Sequence, residues 1–161
     1  MTTKLQITHS PVGEVTEGQE QPDPAGLSVE EIRNCFPGRT LIVADGGSAI
    51  VLEDGPLFGV LVDVSELWER VRQGAMTAEA VDFYGEYKLV MRVREGVVEL
   101  ENEFSGARVS VPQQAFAIAA GVWSESLLKE AEQRHPGLSQ NSNYAKLKSF
   151  VQTTWAATAH T

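Results

Sequence analysis

The chain has 161 residues, 42% hydrophobic and 22% charged, with a formal net charge of −9 and a single cysteine. That length holds one core without disulfides or metals, and the apolar fraction is too high for a chain disordered throughout. The charge excludes nucleic acid as an expected ligand, because affinity for phosphate backbones comes from Lys and Arg displacing counterions. The surplus carboxylates favour solubility and would steer the chain toward a basic protein partner by attraction that salt weakens.

Cys35 has no second cysteine to pair with, and MTTKLQITHSPVGEVTEGQEQ lacks the apolar core of a secretion signal. No stretch approaches the roughly 18 apolar residues of a membrane helix. A cytoplasmic location without a membrane partner is the expectation.

Residues 1 to 26, with Pro11, Pro22 and Pro24 and little apolar periodicity, read as a flexible tail outside the core. Ser28-Val-Glu-Glu31 fits a capping box, which opens a short helix ending near Asn34, before Pro37-Gly38. From Arg39 short apolar runs alternate with glycine pairs. A two-residue loop at Gly46-Gly47 would pair Val43 with Ile50 and Leu41 with Leu52, in a hairpin apolar on both faces and therefore covered on both sides. LFGVLVD follows as a further strand. Asp63-Val-Ser-Glu66 repeats the capping pattern ahead of LWERVRQG, where Leu67, Trp68 and Val71 share a helical face and Gly74 supplies the stop.

YKLVMRVREGVVELENEF, residues 87 to 104, decides how the acidic residues are used. A two-residue loop at Glu95-Gly96 sets Val93 opposite Val98, Met91 opposite Leu100 and Tyr87 opposite Phe104. The other face then pairs Arg92 with Glu99 and Lys88 with Glu103. A second tight turn, at Ser105-Gly106, brings Arg108 to Glu103. Lys88, Arg92, Glu99, Glu101, Glu103 and Arg108 therefore form a solvated sheet face, the expected partner-binding surface, each ion pair worth about 0.2–1 kcal/mol.

Val111-Pro112 opens the longest helical pattern, with Phe116, Ala119, Ala120, Trp123, Leu127 and Ala131 in one stripe as far as His135-Pro136-Gly137. Gly121 is a candidate bend, and His135 is placed to neutralise the last carbonyls. Asn143 is read as the cap of a last helix striped by Tyr144, Leu147, Val151 and Trp155, and residues 158 to 161 as a frayed end. Residues 27 to 157 thus make a single α+β domain, with a largely antiparallel sheet and helices packed on it.

Chemistry is sparse in this pattern. His9, His135 and His160 are isolated, no C-x-x-C or H-x-x-x-H pair occurs, and Glu99, Glu101 and Glu103 lack the EF-hand spacing, so no metal is expected. G-x-S-x-G and both glycine-rich phosphate patterns are missing, so no cofactor is expected, and Cys35 beside Phe36 reads as a small buried hydrophobe. Asp63 and Asp82, carboxylates bordering apolar segments, are the catalytic candidates. Asp63 has the competing reading of a helix cap, while Asp82 with Tyr84 or Tyr87 would make a proton-transfer pair.

Elimination favours a non-enzymatic protein-binding domain, of the kind found in immunity or inhibitor proteins, adaptors and secretion chaperones. One alternative is a small-molecule-binding or isomerase-like enzyme with Asp82 or Asp63 in an enclosed pocket. Another is a structural subunit with an apolar patch along Trp123 and Trp155.

Overall fold

The computed structural model describes residues 4–11, 23–34 and 36–156. Cys35, His160 and the tail and end segments 12–22 and 157–161 lie outside the described residues. The described chain is an α+β fold of antiparallel strands and packed helices, as expected, but its strands are divided between two sheets where one was expected.

The first sheet has the order β1 (Leu5–Pro11), β2 (Pro37–Ala44), β3 (Ala49–Pro56). β1 corrects the assignment of residues 1 to 26 to a tail outside the core. It pairs with β2 along its length, Leu5 opposite Ala44 and Ile7 opposite Ile42, and buries Ile7. Its segment carries only Leu5 and Ile7 as large apolar residues, too few for a period to stand out, and the open edge of β2 supplies its hydrogen bonds. His9 extends the same inward face, its Nε2 2.6 Å from Glu130 Oε2.

The loop closed by the Ala44–Ser48 pair between β2 and β3 has three residues, Asp45-Gly46-Gly47, and not two. The Ala44 N–H donates to the Ser48 carbonyl at 2.9 Å, and Gly46 and Gly47 have φ of 97° and 92°, open to glycine at no steric cost. The register becomes Ile42 opposite Ile50 and Thr40 opposite Leu52. Thr40, Ile42, Ala44, Ile50 and Leu52 therefore face the core together, while Leu41 and Val43 are half-buried and Val51 is exposed. One extra loop residue re-sorts the faces, so the hairpin is fully covered on one side only.

α1 (Val29–Asn34) begins with the capping box: Ser28 Oγ accepts from the Glu31 N–H at 3.2 Å, and Glu31 Oε1 from the Ser28 N–H at 3.3 Å. α2 (Leu57–Arg72) replaces the strand expected for LFGVLVD and absorbs the helix expected after it. Every residue from Leu57 to Ser65 is buried, so these turns have no wet face and no helical period to read. Asp63 consequently sits inside the helix and does not cap it. Gly59 lies where α1 comes close: a Cβ there would stand 3.2 Å from the Arg33 carbonyl oxygen and 2.8 Å from Pro56 Cγ.

The second sheet is a meander of β4 (Thr77–Val81), β5 (Lys88–Arg94), β6 (Val97–Asn102) and β7 (Ala107–Pro112), one strand more than expected. Leu89, Met91, Val98, Leu100, Val109 and Val111 fill its inner face. α3 (Gln113–Arg134) runs through Gly121 as one 22-residue helix, and a short 3-10 turn leads to α4 (Ser142–Ala156). The cap of α4 is Asn141 and not Asn143: Asn141 Oδ1 accepts from the N–H groups of Asn143 and Tyr144 at 2.8 and 3.1 Å. Its Nδ2 donates to the Pro24 and Leu27 carbonyls, which fastens the approach to α1 onto α4.

α2 is the central element, touching both sheets as well as α1 and α4. Trp68 stacks on Phe116 of α3 at 5.4 Å and on Trp155 of α4 at 5.8 Å. Trp123, Tyr144 and Trp155 are all buried, so the two tryptophans proposed for an assembly patch belong to the core.

Candidate functional site

Strand alternation puts Glu79, Lys88, Val90, Arg92, Arg94, Glu99, Glu101, Arg108 and Ser110 on the outer face of the second sheet, opposite the core. The expected pairs form there, Arg92 Nη1 at 3.1 Å from Glu99 Oε1 and Lys88 Nζ at 3.3 Å from Glu103 Oε1. Glu95, with φ of 51°, and Gly96, at 80°, make the two-residue loop that fixes this register.

Arg108 reaches Glu101 and not Glu103 as expected, so the carboxylate between two cations is Glu101, between Arg92 and Arg108. Arg108 Nη2 lies 2.8 Å from Glu101 Oε2, and Arg92 Nη1 3.7 Å from Glu101 Oε1. The cause is Asn102, whose backbone carbonyl accepts from the N–H groups of Ser105 and Gly106 and so closes a longer turn than Ser105-Gly106 alone. The resulting register, Glu101 opposite Arg108, differs by two residues from the expected one, which keeps every side chain on its face. The Glu101 side chain is only 10% exposed and Val90 is buried beside it, under the aliphatic stems of the charged residues.

Charge is not uniform along this face. At the Glu95-Gly96 end, Arg92, Arg94, Val97, Glu99, Glu101, Arg108 and Ser110 line a concavity of about 440 Å³, with three guanidiniums against two carboxylates. At the other end Lys88 sits between Glu79 and Glu103, at 3.8 and 3.3 Å. The face as a whole is a balanced ladder, in place of the acidic surface that the net charge suggested.

The acidic end carries the most exposed aromatic side chains, while Met76 at the other end of the sheet and Ile118 and Val122 on α3 are exposed as well. Phe83 is 84% exposed, Tyr84 65%, Phe104 58% and Val81 56%, whereas all three tryptophans and Phe58, Phe116, Tyr87 and Tyr144 are buried. Asp82 builds this end. Its N–H donates to the Tyr87 carbonyl, its carbonyl accepts from the Gly85 N–H, and its buried Oδ2 accepts from the Glu86 N–H at 3.2 Å, leaving Phe83 and Tyr84 at the tip, 5.2 Å apart edge to face. Asn102 joins this tip to the next, because its Oδ1 accepts from the N–H groups of both Lys88 and Phe104, at 3.2 and 3.3 Å. Two adjacent aromatics ahead of Gly85 in a turn were the available sequence signal for this surface.

The proton-transfer pair expected for Asp82 takes a different form. The Tyr87 hydroxyl donates to Asp63 Oδ2 at 2.7 Å, and Arg33 Nη2 reaches Asp63 Oδ1 at 2.8 Å. Burial pushes the Asp63 carboxyl up to about 6, a rise that Tyr87 and Arg33 oppose. Burial and Asp63 likewise push the Tyr87 phenol far above its usual range, so it stays protonated and can only donate to the ionised carboxylate. With one partner on each oxygen, Asp63 fastens α1, α2 and the start of β5 together. His135 does not neutralise a helix end by charge, since burial and then Arg134 lower its pKa and its ring packs on Phe36 at 4.8 Å.

Among the described residues no three His, Cys, Asp or Glu side chains converge as metal ligands, and no helix is long and apolar enough to cross a membrane. Comparison with family models, curated proteins and solved structures finds no match to this chain.

Proposed function

We propose that this domain is a non-enzymatic protein-binding module, of the adaptor, inhibitor or immunity-like kind, whose partner docks on the aromatic end of the second sheet. The observation that carries the reading is the exposure of Val81 at the end of β4 and of Phe83, Tyr84 and Phe104 on two turns tied together by Asn102. Exposed aromatics gathered on a rigid sheet end are the side chains that dominate protein interfaces. Glu79, Glu86 and Glu103 lie around them against two cations, Lys88 between Glu79 and Glu103 and Arg70 donating to the Glu79 carbonyl at 3.1 Å, an excess of one negative charge that favours a basic and apolar partner segment. A cytoplasmic location belongs to the same proposal, on the strength of a single cysteine.

A photo-crosslinking residue in place of Tyr84 tests this. It is expected to capture one protein that the same residue at exposed Lys146 on α4 does not; equal capture at both positions would contradict the proposal.

A second reading, an enzyme using Asp63 as a proton-transfer group, is favoured by its raised pKa alone. Its two oxygens are already engaged by Arg33 and Tyr87, which weighs toward a structural role.

A further inference from the structure

We propose that the concavity at the Glu95-Gly96 end of the outer sheet face is a carboxylate-binding site centred on Arg94. In a chain with a net charge of −9, this hollow is lined by three arginines and two glutamates and so carries one excess positive charge.

The two glutamates arrange the arginines. Glu101, nearly buried, holds Arg108 at 2.8 Å and Arg92 at 3.7 Å, and Glu99 holds Arg92 at 3.1 Å. Guanidiniums fixed in this way lose little freedom when a ligand arrives, and each has five N–H donors, more than these contacts occupy. Arg94 differs: it lines the same hollow and makes no ion pair or side-chain hydrogen bond with any described residue. It is the uncommitted cation, beside two that are already oriented, with the Ser110 side chain as a further lining donor.

The charge count selects the ligand class. A single carboxylate neutralises the excess, and its two oxygens match the guanidinium fork. A phosphate dianion would overcharge a hollow that already holds Glu99 and Glu101. The carboxylate belongs either to a free small acid or to an acidic side chain of a polypeptide, and both sources present the same group. The site lies at the opposite end of the sheet from Phe83 and Phe104 and does not depend on docking there.

The test is nuclear magnetic resonance of the arginine Nε–H groups in the full chain, titrated with sodium acetate, a capped Ala-Glu-Ala peptide, sodium phosphate, and sodium chloride at matched ionic strength. Saturable shifts at Arg94 with the carboxylate probes are expected, with affinity reduced about tenfold or more in Arg94→Gln, the size of a lost charge-assisted bidentate contact. Arg94→Lys, which keeps the charge without the fork, should retain part of the affinity. Equal affinity for acetate and peptide would assign a small acid, and tighter peptide binding a polypeptide. Shifts that follow ionic strength alone, phosphate binding tighter than either carboxylate, or unchanged binding by Arg94→Gln would each overturn the proposal.

Discussion

The Tyr87 hydroxyl donates to Asp63 Oδ2 across 2.7 Å, joining the start of β5 to the middle of α2 between residues 24 positions apart in sequence. Tyr87→Phe removes the donor and leaves one oxygen of a buried carboxylate unpartnered. The expected cost at neutral pH is about 1.5–3 kcal/mol, measured by urea unfolding. The Asp63 pKa should also rise above its value of about 6, because the phenol holds it down; a carboxyl carbon titration reads this directly.

Asp63 also predicts how stability varies with pH. Its carboxyl titrates near 6 when folded and near the ordinary 3.8 when unfolded. Between those values the folded chain keeps a proton that the unfolded chain has lost. This contribution is therefore full below about pH 4 and is lost as pH rises through 6, by on the order of 3 kcal/mol. Asp63→Asn stays neutral and lacks that slope, so its unfolding free energy should gain on the wild type from pH 4 to pH 7.5. Parallel curves for the two proteins would refute the raised pKa.

Some of this was legible in the sequence and some was not, for physical reasons. The outer face around Arg92 and Glu99 could be read because alternation has a period of two and Glu95-Gly96 admits one kind of tight loop. Asp45-Gly46-Gly47 supports loops of two or three residues, and that single residue decided which face of the first hairpin is buried. LFGVLVD is apolar throughout, so a buried helix and a buried strand look alike until tertiary contacts are known. The Asp63–Tyr87 bond and the exposure of Phe83 and Tyr84 depend on packing between distant segments, which no local pattern records.

The two glutamates flanking the Asn102 corner should behave differently. Glu103, half-exposed and paired among the described residues only with Lys88, should tolerate Glu103→Lys within about 1 kcal/mol. Glu101→Lys would set a cation between Arg92 and Arg108 at a site only 10% exposed, and should cost about 3 kcal/mol. Thermal unfolding of the two variants side by side separates them.

Gly59→Ala should destabilise even though alanine is the better helix former. The added Cβ would stand 2.8 Å from Pro56 Cγ and 3.2 Å from the Arg33 carbonyl oxygen, forcing α1 and α2 apart. The expected loss is about 1–3 kcal/mol in urea unfolding, against a propensity gain of about 1 kcal/mol for the same exchange at an open helical position.

The most direct test of the protein-binding claim compares the wild type with the triple variant Phe83→Ser, Tyr84→Ser, Phe104→Ser, first in thermal unfolding and then in affinity capture from native lysate. These side chains are exposed, so the variant should unfold near the wild-type temperature. A protein captured stoichiometrically by the wild type should be lost with the variant, and salt should weaken its capture. If both proteins capture the same partners in the same amounts, or the wild type captures none, the aromatic end is not a docking surface.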